Sequence, residues 1–514
     1  MRDTYLTFTK DGFVDQIKVI VFGGSGNVNL HRFMPVLMGY RMGDLLINIE
    51  APRSSICCSM GSQCERMRAM RRLAILAALL VASTGWPDNV VAADDGPVAL
   101  QPVGPPLGDE PVLMIRHDGA SLPTGTFIAQ DKSKGVTWLF DLAHGRVRAI
   151  ELPFNNGNHE TAVNVDGTSL VSPHYETLGP GNDEGGGFYP GAEVSVVDLT
   201  TGNGHVLAAA AMPLGRPKPH GAHWMDNGDL LVTAQVANSL VRFTTPLKPD
   251  GGAVRVYSLQ GTACGTPHLV SQIPGTNLAV SGCRCDNNRD DPVGCTGQLA
   301  VVDLDSGRTR VLPAGARAEG LTVTPAGEVW VGAMKDNTVT IFGFRGSERD
   351  LDRLEALAQL RVDAPLRLAY EPSTNSVGIV SFESNAGDKC NFHRFDAASH
   401  MLRKQTTLVS ARRGRINSEG LAAVNGVFIT GGFDNQTLMI VDPVSLEVRV
   451  ELLLPRCSLP PAYAAPTPMK ECKGAECTGK NNWSGGICPA TLRNPDDRRF
   501  IVLDGFGWSP RSIP

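Results

Sequence analysis

Six polar residues stand at matching places in six successive segments of this chain: His159, His220, His268, Glu319, Arg367 and Glu419. From His220 onward they recur every 48 to 52 residues, and each opens a short run of alternating apolar residues. Three imidazoles with two carboxylates form a donor set suited to one divalent cation of borderline softness, zinc or copper. Arg367 offers a planar fork for a carboxylate or phosphate of a small-molecule ligand, or a counter-charge for the glutamates. His174 and His223 are close enough in sequence to bind the same ligand or to orient the others from behind. In "HGAH" (220–223) the two histidines are three apart. On a strand that spacing sends them to opposite faces, so one histidine per segment is expected at an ion. The competing interpretation is a polar channel lining whose side chains satisfy one another. No G-x-S-x-G elbow, H-E-x-x-H, P-loop or C-x-x-C-H occurs, which leaves no motif for a nucleotide or haem cofactor and no assignable catalytic residue.

The segments that must position these residues share one plan. "PHGAHWMDNGDLLVTAQ" from Pro219, "PHLVSQIPGTNLAVSGC" from Pro267, "AEGLTVTPAGEVWVGAM" from Ala318 and "SEGLAAVNGVFITGGF" from Ser418 each hold two apolar runs around a Gly, Asn or Pro turn. That is a β-hairpin pattern. A third run ends in Asp, as in "TWLFDLAHG" (137–145), "VSVVDLTTG" (194–202), "LAVVDLDSG" (299–307) and "LMIVDPVSL" (438–446). An aspartate there can accept hydrogen bonds from the amides of the turn that follows. A looser fourth run comes next. Four-stranded repeats of this length predict blades of a β-propeller. Six blades are explicit. The segment 112–130 implies a seventh, and "RRFIVLDGFGW" (498–508) is expected to complete the first blade, with an eighth blade as the alternative. "ERDLDRLEALAQL" (348–360) reads either as one short helix or as a charged lead-in to a strand.

The remaining sequence bears on where the protein works. "MRAMRR", the apolar run at 73–83 and the small residues Val91 and Ala93 form a secretory signal over 67–93, cut after Ala93. The apolar run is too short to span a bilayer. Residues 1–66 are then expected to be an upstream extension from a mis-assigned start, or a leader, and 94–514 a single propeller in the periplasm or outside the cell. Nine of the 12 cysteines follow the signal. In an oxidising compartment most should pair, with at least one left over. The stretch 457–488 reads as a disulfide-stapled loop that caps the pocket or docks a protein partner. A net charge of −5 without a sustained basic patch gives no reason to expect nucleic acid.

The "VxVxD" runs, the "PHG" starts and "EGLTVTPAGEVWV" resemble the YVTN-type β-propellers of exported bacterial proteins. The 319–334 segment also resembles blades of gluconolactonase-type lactonases and streptogramin-lyase-like propellers. The first resemblance implies a seven-bladed, all-β, exported protein that binds a metal ion or small ligand at its central channel. The second implies a metal-dependent lactonase or lyase. The known lactonases bind metal through carboxylates and Asn, whereas this column is rich in histidine. A non-catalytic interaction scaffold is the third possibility, since this fold does not dictate function.

Overall fold

In the chain from Ala92 onward, strand pairing builds seven sheets, each of four antiparallel strands at its heart. The structure is a computed structural model. It describes strand backbones between residues 2 and 50, most of 97–455, the short strands Cys457–Ser458 and Arg499–Phe500, and residues 503–514. The first unit, Met1–Val91, contains one four-stranded antiparallel sheet formed by Arg2–Lys10, Phe13–Gly23, Leu45–Glu50 and Met38–Met42 in that order. The expected signal segment, His159 and nearly all of the cysteine-rich stretch lie outside the described residues. Among the described residues no helix is long and apolar enough to cross a membrane.

The second unit is a seven-bladed propeller. Blade 3 shows the plan: Pro219–Trp224 innermost, then Leu230–Ala234, Ser239–Phe243 and Val254–Ser258. Its second strand is buried at every position because neighbouring blades cover both faces. That is why these runs are apolar without alternation. The outer strand alternates with solvent, as the looser fourth runs suggest. Blades 4 to 7 begin with Thr266–Gln272, Ala318–Val323, Pro365–Glu371 and Ser418–Val424. Blade 2 begins with the short strand Ala162–Val163.

Blade 1 takes its inner strand, Leu503–Ser509, from the C-terminal end and its next three from Thr126–Asp131, Val136–Asp141 and Arg146–Glu151. The expected completion of the first blade by the late strand is observed. The segment 112–130 divides between two blades: Leu113–Arg116 extends the outer edge of blade 7, while Thr126–Asp131 belongs to blade 1. The ring is therefore closed twice by strands exchanged between the two ends of the second unit, at the inside of blade 1 and at the outside of blade 7. The charged 348–360 segment resolves into one 3-10 turn, Leu351–Arg353, leading into the strand Leu354–Arg361.

Because each blade runs from inside to outside, its first strand begins and its second strand ends on the same face of the ring. The second strands Ser169–Pro173, Leu278–Arg284 and Ser376–Ser381 and the fourth strand Val448–Leu453 all end on that face. The opposite face carries the hairpins between first and second strands and between third and fourth.

Candidate functional site

The starts of the inner strands converge at one mouth of the channel, and strand register decides which residues meet there. In blade 3 Pro219 pairs with Ala234 and Ala222 with Val232, with a bulge between them. The same offset in blades 4, 5 and 7 sets His268, Glu319 and Glu419 at the position of His220. One place in the expected column shifts by one residue. In blade 6 Pro365 pairs with Ser381 and Arg367 with Val380, as Ala318 pairs with Ala333 and Gly320 with Gly332. Leu366 thus takes the column position, and Arg367 stands where Gly320 does. In blade 2 Val163 pairs with Leu170 as Trp224 does with Leu230 and Gln272 with Ala279, and the same count back gives His159, which lies outside the described residues. The register also supplies a seventh position, Asp504, which the repeat alignment did not reach.

His220, His268, Glu319, Leu366 and Glu419 line one cavity with Tyr175, Arg284, Arg317 and Phe382. The space of about 20 Å3, partly open to solvent, has room for a group about the size of one water molecule. The His220 and His268 rings lie 3.8 Å apart, centre to centre, and Tyr175 meets His220 edge-on at 4.9 Å. The Lys218 ammonium sits 4.1 Å from the centre of the Tyr175 ring, a cation–π contact. His268 Nδ1 donates to the backbone carbonyl of Glu319 at 3.2 Å. A carbonyl oxygen only accepts, so Nδ1 carries the hydrogen, and in the neutral ring Nε2 carries the lone pair. The blades are tied beneath these rings by Thr233, whose hydroxyl accepts from Gly221 N at 2.7 Å and donates to His268 O at 2.8 Å. A Cβ at Gly221 would lie 2.5 Å from that same His268 oxygen, so only glycine permits this approach.

Glu319 is the electrostatic centre of the site. Arg284 Nε and Arg317 Nε lie 2.9 and 2.6 Å from the same oxygen, Oε1, and Arg367 is 4.0 Å from the other. Burial pushes the Glu319 carboxyl up, but the charges of Arg284, His268, Arg317 and Arg367 outweigh it and hold the group far below the usual carboxylate range. The same Arg367 guanidinium forms a short ion pair with Glu160, on the far side of the axis. Arg367 is therefore a buried tie between blades 2, 5 and 6, engaged by two carboxylates, and it does not line the cavity.

His174 and His223 do not line the cavity either. His174 is fully buried at the end of a second strand, with Nε2 2.7 Å from the Ser195 hydroxyl, and burial pulls its pKa down to about 3. His223 lies three residues along the strand from His220, and desolvation outweighs Asp226 to pull its pKa down to about 4. The residue that does reach the cavity is His174's neighbour, Tyr175. Arg284, Arg317 and Phe382 were also missed: they sit outside the inner-strand column, at second-strand ends or just before an inner strand. Arg284 was visible only as the middle of "CRC". Among the described residues no group of three or more His, Cys, Asp and Glu side chains is arranged to hold a metal ion.

One disulfide, Cys264–Cys283, is described in blade 4, and Cys285 is also disulfide-bonded. Cys283 pairs with Pro267 and adjoins Arg284, so the bridge fastens the two strand ends that present His268 and Arg284. Cys390 is a free thiol.

No family model and no curated protein matches the chain. Solved structures that it is similar to include a streptogramin B lyase (11% identity, 66% of this chain and 97% of that one, TM-score 0.43). Others are virginiamycin B lyase from Staphylococcus aureus (12%, 67% and 99%, TM-score 0.42) and the β-propeller domain of Myceliophteria thermophila Swd1 (14%, 68% and 100%, TM-score 0.44). The fold rests on the strand pairing described above, and these likenesses do not bear on activity.

Proposed function

We propose that the protein is an exported propeller of the YVTN type whose channel mouth binds a small ligand through an anionic group. The observation that carries this reading is the sharing of one Glu319 oxygen by Arg284 and Arg317 at the cavity wall. Two guanidiniums on one carboxylate leave a donor fork at that wall, balanced across the cavity by Glu419, and such a fork matches an anionic group. The two imidazoles stand beside it, while Leu366 and Phe382 supply an apolar side for the remainder of the ligand. Titration calorimetry with acetate, oxalate and inorganic phosphate at pH 7 tests it. Binding that disappears in Arg284→Ala is expected, and absence of binding by the unaltered protein to all three sinks the reading.

A second reading is a zinc or copper ion held by His220 and His268 with His159 and Glu419. It is favoured by the closeness of the two rings and by the lone pair that neutral His268 carries on Nε2. Glu319 is the least suited of the expected ligands, because a metal there would meet two guanidiniums. Elemental analysis of protein purified from the periplasm decides this; markedly substoichiometric metal removes it.

Export is supported by the disulfide, which persists in oxidising compartments. The precursor is proposed to start at Met67 or Met70 and to be cut after Ala93, leaving 94–514 as one propeller domain. A precursor whose mass includes residues 1–66 would overturn that start.

A further inference from the structure

We infer that Lys218 and Arg317 are specificity-determining residues of the mouth pocket, kept against the preference of their own backbone in order to place two cations there; the inference rests on the anion-site reading above. Among the described residues, the residue just before an inner strand adopts left-handed geometry in three blades: Lys218 (φ 55°), Arg317 (φ 59°) and Ala364 (φ 39°). They are equivalent, because each precedes the residue that opens the paired register, Pro219, Ala318 or Pro365. The conformation therefore belongs to the way one blade hands over to the next. Glycine adopts it freely, whereas a residue with a Cβ is strained there. Asparagine is the usual exception, and elsewhere in this ring it is used that way, at Asn238, Asn337, Asn375 and Asn425.

At the mouth the chain instead carries two long basic residues, and both point their charge at the cavity lining. Arg317 lines the cavity and lies 2.6 Å from Glu319. Lys218 stands over Tyr175, whose ring lines the cavity and meets His220. Arg317 is thus a ligand-facing residue, and Lys218 a positioning residue that acts through Tyr175. Ala364 provides an internal control: it shares the strained geometry but has no charged group to place. Strain retained at a convergent polar site is the pattern expected when function opposes stability.

The experiment compares Arg317→Gly, Arg317→Ala, Lys218→Gly, Lys218→Arg and Ala364→Gly by thermal melting and by calorimetric titration with oxalate and inorganic phosphate. Ala364→Gly should melt above the unaltered protein and bind the probes equally well. Arg317→Gly should bind at least about tenfold more weakly, the scale of a lost charge-assisted hydrogen bond, and should melt above Arg317→Ala, which lacks the same guanidinium but keeps the strain. Lys218→Gly should weaken binding, and Lys218→Arg should restore it. Should Arg317→Gly not fold, Arg317→Gln supplies the binding comparison. Unchanged affinity in both glycine variants while the unaltered protein binds the probes overturns this inference alone. If the unaltered protein binds neither oxalate nor phosphate, the inference and the reading beneath it fall together.

Discussion

The two faces of the ring are held in opposite ways. On the face away from the pocket, four of the hairpins between third and fourth strands are closed from within. Asp198 accepts from Thr200 N at 2.7 Å, Asp303 from Asp305 N at 3.0 Å, Asp396 from Ser399 N at 2.8 Å and Asp442 from Val444 N at 2.8 Å. These contacts span two or three residues and repeat from blade to blade. At the mouth the backbone register repeats but the side-chain partnerships do not. Glu319 gathers arginines from 284, 317 and 367, and Arg367 reaches on to Glu160, 207 positions away in the chain. The turn face makes each blade; the mouth exists only once the ring has closed. A lesion in the first should be local, and a lesion in the second should be felt around the ring.

The largest expected effect tests closure itself. Removing residues 503–514 takes away the inner strand of blade 1, the buried Leu503 and Phe506, and Ile513 from the core shared with blade 2. The truncated protein should lose its cooperative thermal transition, as seen by far-ultraviolet circular dichroism. A melt within a few degrees of the full chain would show that the mouth does not need a closed ring. Next comes Arg367→Met, which removes the cation shared by the buried Glu319 and the half-buried Glu160. Stripping one partner from a buried pair costs about 3–5 kcal/mol. Adding Glu160→Gln should recover part of that loss, because the two sites are coupled. Additive losses in denaturant titrations would mean that the axial tie carries no coupling.

Acid should weaken the mouth face in two windows. Glu319 has a folded-state pKa below its ordinary 4.5, so its contribution is fully present above that value and is lost as pH falls through the depressed range. His174 has its folded-state pKa lowered from 6.5 to about 3, so between those values the unfolded chain binds a proton that the folded one refuses. Stability should decline there by about 1.4 kcal/mol per pH unit for this one group. His174→Gln should flatten the slope of unfolding free energy between pH 6 and pH 4, whatever it does to absolute stability. An unchanged slope would mean that the buried imidazole is not what titrates.

The contrast between the faces also explains what could be read in advance. The blades were legible because apolar runs, turn residues and the terminal aspartate lie within about 50 residues and recur. The column was nearly legible, since His220, His268, Glu319 and Glu419 keep one register. It failed where the register or spacing departs from a simple count. "PLRLAY" aligns by its charge on Arg367, yet the bulge sets Leu366 in the column. Tyr175, Arg284 and Arg317 could not be found by periodicity, because they reach the cavity from strand ends that carry no repeated residue type. Only the closed ring brings them together.

The smallest expected effect sharpens the comparison from the other side. Asp303 is one of the repeated turn anchors. Its carboxylate accepts from the Asp305 and Ser306 amides at 3.0 and 3.3 Å and from the Ser306 hydroxyl at 2.7 Å. Asp303→Ala removes these bonds but leaves the amides near solvent, where water replaces the lost acceptor. The turn also retains its backbone bond from Gly307 N to Asp303 O at 2.7 Å. The loss should therefore be about 1 kcal/mol, the usual worth of a single capping or turn interaction. Binding at the mouth should not change, because no part of this network reaches the inner strands. Hydrogen exchange provides the finer measurement: protection should fall at 303–309 and stay constant at 266–272. Increased exchange at 266–272 would mean that the turn face and the mouth are mechanically linked, and that blade 4 is not the self-contained unit its local bonding describes.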